Sequence, residues 1–195
     1  MVTGTAATAA TAATAATAAT AATVRGPAWE VAAAVPDPEL PMLTLADLGV
    51  LAGVEVDDGS GTVTAWLTPT YSGCPAVAEM AADVDRRLRA AGYPDVRVRL
   101  RLDPPWSTDL ITAEGRRKLT AAGIAPPRPT SALAPAAGPV PLLLGPTRTG
   151  AAAPVPCPQC GGTETEELSR FGSTACKALW RCRACREPFE RVKEI

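Results

Sequence analysis

The residues best suited to chemistry in this chain are its six cysteines. Four of them form two C-x-x-C pairs, Cys157 with Cys160 and Cys182 with Cys185, and twenty-one residues separate the pairs. Two pairs at this distance are typical of a zinc ribbon or a related four-cysteine site. Residues 157–195 are too few to bury much core, and bound metal would therefore supply most of the folding free energy of this segment. We therefore predict a structural zinc ion held by these four thiolates.

Two alternatives compete with the zinc site. A rubredoxin-like iron site uses the same four thiolates. However, Gly161 follows the first pair and Arg186 follows the second, which weakens that interpretation. Disulfides are disfavoured because the C-x-x-C spacing suits metal and the N-terminus lacks the features of a secretory signal. We expect a reducing, cytoplasmic location.

Cys74 lies where a predicted strand ends and a predicted helix begins, and Pro75 suits the first helical position. At that place the helix dipole and free N–H groups are expected to lower the pKa of the thiol. The residues alone leave two interpretations: a reactive or metal-binding cysteine, or a small buried apolar side chain.

Cys176 is the remaining cysteine, and a tetrahedral four-cysteine site does not need it. It is either a packing thiol, a fifth ligand, or a second reactive thiol beside Lys177.

The composition excludes several classes of function. The chain has no histidine, so Ser–His and Cys–His catalysis are excluded and a thiol enzyme would lack a histidine base. The net charge is −1, aromatic residues are few, and residues 157–195 carry seven Lys or Arg against six Asp or Glu. These numbers disfavour a nucleic-acid binder. No stretch resembles a membrane span, so we expect neither nucleic acid nor membrane as a partner.

Sequence periodicity predicts the elements that position Cys74. Two alternating stretches flank an Asp- and Gly-rich turn, a helical apolar stripe follows Cys74, and a third alternating stretch comes next. We predict strands at 50–56, 62–68 and 96–102, and helices at 29–35, 75–91 and 112–123. Thr44-Leu-Ala-Asp47 has the spacing of a capping box, and Gly49 ends the single turn that it begins. The order β-β-α-β with flanking helices indicates a small α+β domain.

The third predicted strand has an apolar face and a cationic face, the latter formed by Arg97, Arg99 and Arg101. A solvated sheet face is the simpler explanation, and we favour it. The alternative is a surface that binds an anionic partner.

Composition divides the chain into four segments. Residues 1–26 are mainly Thr-Ala-Ala triplets, which give no apolar helical stripe, and we assign them no function. Residues 27–125 form the α+β domain. Residues 126–156 contain nine prolines, which predicts a linker whose two ends move independently. Residues 157–195 form the zinc-ribbon-like module.

Several motifs together resemble a known family. Similar motifs occur in the iron–sulfur assembly domain of SufT-like factors: Asp37-Pro-Glu39, Asp47-Leu-Gly49, Thr68-Pro-Thr-Tyr-Ser-Gly-Cys-Pro75 and Pro104-Pro-Trp106. The C-terminal part adds Cys157-Pro-Gln-Cys-Gly161, Phe171-Gly-Ser-Thr-Ala-Cys-Lys-Ala-Leu179 and Cys182-Arg-Ala-Cys-Arg-Glu-Pro-Phe189. With these, the chain resembles the D subunits of bacterial phenylacetyl-CoA epoxidase systems, also called phenylacetate-CoA oxygenase J subunits. The resemblance covers about residues 27–125 and 157–195.

The resemblance implies an accessory role in aerobic phenylacetate catabolism. The epoxidase is a multicomponent di-iron oxygenase, served by a reductase that carries flavin and an iron–sulfur centre. The D subunit is implied to mature the iron–sulfur or iron centre of an oxygenase or reductase subunit and not to be catalytic itself. The alternative is an electron-carrying iron(Cys)4 component of the complex.

The resemblance also assigns roles to individual residues. Cys74 matches the reactive cysteine of the assembly factors, Asp37 and Glu39 match an acidic motif near it, and Thr70 belongs to the cysteine motif. Carboxylates that close to Cys74 would raise the pKa of its thiol and oppose the helix effect. Clusters usually take four thiolates, so transient iron or a cluster needs further ligands. A partner's cysteines, a second copy in a homodimer, or Cys176 swinging in on the linker would supply them.

Overall fold

The computed structural model describes residues 25–71, 73–129 and 154–194. The helices are α1 (Pro27–Ala33), α2 (Val77–Ala90) and α3 (Ala113–Ala121), with a short 3-10 helix at Thr108–Leu110. The strands are β1 (Leu51–Val56), β2 (Val63–Leu67), β3 (Val96–Leu100), β4 (Ile124–Ala125), β5 (Thr165–Ser169), β6 (Lys177–Cys182) and β7 (Pro188–Val192). The predicted α+β class and the β-β-α-β order are confirmed.

The first sheet has the order β1-β2-β3, with β1 antiparallel and β3 parallel to β2. The alternation in β2 sets its faces as predicted, because Val63, Ala65 and Leu67 are all buried. Helix α1 packs against β1 and α2, and α2 packs against β3. Because β2 and β3 are parallel, both strands end on the same side of the domain. Cys74 lies there, in the connection from the end of β2 to α2.

Helix α2 buries the stripe Met80, Val84 and Leu88 at a spacing of four residues. It begins at Val77 and not at Pro75, because Pro75 and Ala76 form a turn in front of it. Cys74 therefore precedes the first helical residue by three positions. Its carbonyl accepts a 3.4 Å hydrogen bond from the Val77 N–H.

The turn at Thr44–Gly49 is held by side-chain hydrogen bonds and packs against α3. The Thr44 hydroxyl accepts from the Asp47 N–H at 3.1 Å, and Asp47 Oδ2 accepts from the Thr44 N–H at 3.0 Å, as the Thr-x-x-Asp spacing predicts. Lys118 of α3 donates to the same carboxylate at 2.7 Å. A β-carbon at Gly115 would lie 2.7 Å from the Asp47 carbonyl oxygen, so only glycine lets α3 approach this closely.

The second sheet has the order β4-β7-β6-β5, in which β5, β6 and β7 are antiparallel neighbours. Strand β4 belongs by sequence to the first domain, yet it pairs in parallel with β7. Val192 of β7 in turn belongs to the core of the first domain. The expectation that the two modules move independently is wrong for this arrangement, because they share a sheet and a core.

The part of the predicted linker at 130–153 and the Thr-Ala-Ala tail through residue 24 lie outside the described residues. None of the helices in the described ranges combines the length and apolar character needed to cross a lipid bilayer.

Candidate metal centre and paired-thiol cavity

The four cysteines of the C-x-x-C pairs converge at one end of the second sheet. Cys182 ends β6, Cys185 lies in the turn before β7, and Cys157 and Cys160 flank a turn opposite them. The sulfur of Cys157 lies 3.8 Å from that of Cys185, and the sulfur of Cys160 lies 3.6 Å from that of Cys182. All four sulfur atoms lie within 4.8 Å of one another.

This donor set fits a tetrahedral metal ion. Zinc–sulfur bonds in a tetrahedron place neighbouring sulfur atoms about 3.8 Å apart, which matches the observed spacing. Backbone N–H groups of Cys185 and Ala184 help to lower the pKa of Cys182 to about 7. A backbone N–H at Glu187 lowers the pKa of Cys185, but burial and the three neighbouring thiols outweigh it and raise that pKa to about 12, so metal binding must displace protons from this group. The group can therefore hold a metal, and tetrahedral sulfur ligation suits zinc or iron.

The two knuckles have the same backbone shape despite their different sequences. Gly161 has φ 72° and Arg186 has φ 67°, so each pair is followed by a left-handed residue. The difference between glycine and arginine, which weakened the iron hypothesis, therefore does not change the knuckle geometry. Cysteine ligation alone does not distinguish the two metals.

A second group of predicted residues meets at the junction of the two modules. Cys74 and Cys176 line one small cavity together with Asp37, Glu39 and Thr70, and we call it the paired-thiol cavity. The rest of the lining is apolar and comes from Leu40, Leu48, Met80, Trp106, Ile111 and Val192. The cavity has a volume of about 30 Å³, enough for a water molecule or a single metal ion.

Cys74 is half-buried at this cavity, and the expected lowering of its pKa is wrong. Burial is the largest effect and raises the pKa of the thiol, and the charges of Glu39, Asp37 and Cys176 raise it further. A backbone N–H at Ala76 opposes them but does not outweigh them. The helix effect is weak because α2 begins three residues after Cys74.

Asp37 organises the acidic side of the cavity. Its Oδ1 accepts from the N–H groups of Glu39 at 2.8 Å and Leu40 at 2.7 Å, so it fixes the turn that carries Glu39. Burial raises the pKa of Asp37, and the two N–H donors and Lys177 offset only part of that rise. Glu39 is less buried and lies close enough to raise the pKa of both thiols.

Cys176 is held by the β6–β7 hairpin and needs no movement of the linker to approach Cys74. A 3.1 Å hydrogen bond joins its sulfur to the Thr174 hydroxyl. Burial is the main cause that raises its pKa, with a contribution from Glu39, while Lys177 opposes the rise. The hypothesis that Cys176 contributes to the Cys74 site thus has a geometric basis in the shared cavity.

Glu190 is a positioning residue that the sequence analysis missed. Its Oε2 lies 2.9 Å from the buried Lys177 ammonium, and its Oε1 accepts from the Ser173 N–H at 2.6 Å. These contacts fix the loop that presents Cys176. The only sequence signal was that Glu190 directly follows the Glu-Pro-Phe motif, at a position where β7 alternation turns a side chain toward that loop.

Comparison with known proteins follows the same division of the chain. The profile described as "Iron-sulfur cluster assembly protein" matches residues 28–100, and the one described as "PaaD zinc beta ribbon domain" matches residues 145–193. A protein of Escherichia coli strain K12, named as the putative D subunit of 1,2-phenylacetyl-CoA epoxidase, is 41% identical over 167 residues. The alignment covers 86% of this chain and 91% of that protein. The chain belongs to the family of phenylacetyl-CoA epoxidase D subunits.

Three solved structures are similar to the N-terminal half of this family member. A Bacillus anthracis domain of unknown function is 26% identical, covers 47% of this chain and 87% of its own, and has a TM-score of 0.43. A conserved hypothetical protein from Thermotoga maritima is 28% identical over 47% and 89% of the two chains, with a TM-score of 0.40. A Mycobacterium tuberculosis protein associated with iron–sulfur complex assembly and repair is 34% identical over 48% and 81%, with a TM-score of 0.31.

Proposed function

We propose that this chain is a non-catalytic accessory subunit of a phenylacetyl-CoA epoxidase system, which helps to install iron or an iron–sulfur cluster in an oxygenase or reductase subunit. One observation carries the proposal: two thiols from different modules, Cys74 and Cys176, line a single cavity with two carboxylates. The assembly-type profile over residues 28–100 and the name of the Escherichia coli relative support it. The exchange of iron between thiols requires a reducing compartment, which the cytoplasm provides.

The cavity suits a ligand that is held briefly. Thiolates are good ligands for iron, but burial and nearby carboxylates keep both thiols protonated near neutral pH. Iron binding would release these protons, and departure of the iron to the partner would restore them. Two thiols are fewer than the four that a stable cluster takes, so the partner must supply the others.

The four-cysteine centre has a different role in this proposal. We infer that it holds a structural zinc ion that stabilises the β6–β7 hairpin. Because Cys182 is the last residue of β6 and Cys176 immediately precedes its first, the metal would fix the strand that presents the second thiol. The resident metal and the iron in transit therefore use separate sets of cysteines.

The electron-carrier alternative has one observation in its favour. The four sulfur atoms have tetrahedral spacing that suits iron, and Cys160 is exposed, which would let electrons reach the metal from the surface. This alternative gives no role to Cys74 and Cys176. Metal content separates the two functions, because zinc does not change its oxidation state.

The first experiment is purification of the full chain without oxygen, followed by metal analysis and visible spectroscopy. The proposal predicts about one zinc ion per chain and no colour at the four-cysteine centre. Stoichiometric iron with sulfur-to-iron charge-transfer bands that vanish in Cys182→Ser would favour the electron carrier.

The decisive experiment is a maturation assay. The oxygenase and reductase subunits are co-expressed with the wild type, Cys74→Ser or Cys176→Ser, and their iron and cluster contents are measured. We expect Cys74→Ser to fold and keep its zinc but to lose maturation, and Cys176→Ser to impair it. Ala33→Ser, a similar change at a half-buried position of α1, is the control. Full maturation with both serine variants would overturn the proposal.

A further inference from the structure

Strand β3 is an open edge of the first sheet. It pairs with β2 on one side, and no strand of the described ranges pairs with its other side. The Asp95 carbonyl accepts from the Val63 N–H at 2.9 Å, and the Arg101 N–H donates to the Leu67 carbonyl at 2.8 Å. These bonds show that the odd-numbered residues of β3 bond to β2. The even-numbered residues therefore direct their N–H and C=O groups to the open edge.

Among the described residues, only the beginning of this edge is covered. The Arg89 guanidinium, from the end of α2, donates to the Val96 carbonyl at 3.3 Å. Val98 and Leu100 follow with backbone groups directed outward, and no hydrogen bond within the described residues uses them. An unpaired edge of this kind is a template for another strand.

An apolar groove runs beside the open edge and ends at Cys74. Its volume is about 480 Å³. It is lined by Pro69, Cys74, Pro75, Val77, Ala78, Ala81, Val98, Leu100 and Leu102. Leu100 is 51% exposed and Leu102 is 61% exposed, which is unusual for leucines at the end of a strand. Cys74 lines both this groove and the cavity that it shares with Cys176.

The opposite face of β3 is cationic. Arg97 and Arg99 are exposed, and Arg101 lies 4.9 Å from the centre of the Trp66 ring. Arg97 forms a 3.4 Å ion pair with Asp95, with both side chains about half exposed. Within the described residues neither Arg99 nor Arg101 pairs with a carboxylate. The edge is thus flanked by positive charge on one side and by apolar surface on the other.

We propose that β3 binds an extended segment of a partner protein in which acidic and apolar side chains alternate. The segment would add a fourth strand through Val98 and Leu100, place its carboxylates against Arg97, Arg99 and Arg101, and place its apolar side chains in the groove. Strand addition stands on these contacts alone. The statement that the partner is the subunit that receives iron rests on the proposed function.

Charge selects this occupant over two others. A second copy that pairs β3 with β3 would bring two rows of arginine onto one face, which is unfavourable. Residues 1–24 and 130–153 of this chain contain no Asp or Glu, so they offer nothing to the arginine row. A segment of another protein with alternating acidic and apolar side chains complements both the arginine face and the apolar groove, and it would lie next to Cys74.

The test uses two synthetic peptides, one alternating Glu and Val and the other alternating Lys and Val, with the full chain labelled with nitrogen-15. We expect the Glu peptide to bind more weakly as salt rises, to shift the amide signals of β3, and to protect the Val98 and Leu100 amides from hydrogen exchange. The Lys peptide should not bind. Binding of both peptides alike, or shifts confined to other elements, would refute the proposal.

Two pairs of variants test the contacts. Val98→Pro removes an outward N–H that the fold does not use, and should abolish binding. Val56→Pro makes the matched change on β1, the other edge, and should leave it intact. Arg99→Glu should weaken the Glu peptide by about fivefold to tenfold and create binding of the Lys peptide. Arg87→Glu, the same charge change on α2, should alter neither by more than about twofold.

The outcomes separate this proposal from the proposed function. Peptide binding should persist in Cys74→Ser, because the edge does not use the thiol. Loss of maturation in Val98→Pro with its zinc retained would support both proposals, whereas peptide binding without any maturation defect would refute only the identity of the partner. Self-association in the ultracentrifuge that Val98→Pro abolishes would identify a second copy as the occupant and overturn the proposal.

Discussion

At the scale of single residues, the Cys74 thiol experiences opposing effects. A backbone N–H favours the thiolate, while burial and the charges of Glu39, Asp37 and Cys176 favour the protonated thiol. Burial and the three neighbouring charges outweigh the N–H, so the pKa of the Cys74 thiol is raised. A protonated thiol resists oxidation and stray alkylation until a metal displaces its proton. Under the proposed function, this property suits a ligand that is needed only when iron is transferred.

Neutralising Glu39 should make Cys74 more reactive. In a Cys176→Ser background, Glu39→Gln removes a charge that raises the pKa of Cys74, so its alkylation by iodoacetamide near pH 7 should become about threefold faster. The rate should also rise with pH, with a midpoint above that of a free cysteine in both proteins. Peptide mass spectrometry measures the modification at Cys74. Glu30→Gln, an exposed change on α1, is the control, and an equal acceleration there would refute the explanation.

At the scale of elements, the β6–β7 hairpin connects the metal centre to the second thiol. Cys182 lies at one end of β6, while Cys176 precedes the other end and Lys177 begins the strand. The Lys177–Glu190 pair bridges β6 and β7 at the thiol end, where the Lys177 side chain is only 5% exposed. The hairpin is therefore anchored at both ends, by metal ligands and by a buried ion pair.

Breaking the buried pair should loosen the loop that carries Cys176. Glu190→Gln leaves the Lys177 charge without its partner and should lower the free energy of unfolding by about 2 kcal/mol at neutral pH. Burial raises the pKa of Glu190, but the Lys177 and Ser173 contacts outweigh it and hold the pKa below its ordinary value. The wild-type advantage should therefore be complete above the ordinary glutamate pKa and disappear as acid protonates Glu190. Urea titrations at neutral and acidic pH measure it, and a pH-independent difference would contradict this account.

Substituting a cysteine of the metal centre should disrupt this hairpin, whereas substituting Cys176 should not. Cys182→Ser should lose the bound metal and the hydrogen-exchange protection of β6 and β7, because the metal supplies most of the folding free energy of so small a sheet. Cys176→Ser should keep both. Metal analysis and hydrogen exchange of the two proteins give the answer, and retention of metal by Cys182→Ser would show that the four cysteines are not one site.

At the scale of the whole molecule, the two modules act as one structure. Strand β4 of the first domain extends the second sheet, and Val192 of the second sheet fills the first core. The paired-thiol cavity is built from both modules, since Cys176 and Val192 of the second module line it together with Cys74 of the first. The state of the metal centre is thus expected to affect Cys74 even though the two sites share no ligand.

Removal of the resident metal should expose Cys74. Chelation should unfold the hairpin that supplies Cys176 and Val192, and alkylation of Cys74 should accelerate by about tenfold as its burial is lost. Adding zinc back should restore the original rate. Unchanged reactivity after complete metal removal would show that the first domain holds the Cys74 turn by itself.

The sequence determined what depends on near neighbours. Alternation in β2, the four-residue stripe of α2, the Thr44–Asp47 turn and the cysteine pairs all act within a few residues, so their patterns were visible before the fold was known. The two thiols, the two carboxylates and Thr70 of the cavity were also named from sequence, through the motifs that resemble the family, whereas the apolar residues of its lining were not.

Only the tertiary structure decided how these parts meet. Two-residue β4 has no periodicity to detect, and its pairing of Ile124 with Glu190 spans the proline-rich segment. The role of Glu190, the meeting of Cys74 with Cys176, and the raised pKa of Cys74 all depend on groups that are distant in sequence. Local sequence gives each residue its chemistry and its element, but burial and neighbouring charge are set only when distant elements pack together.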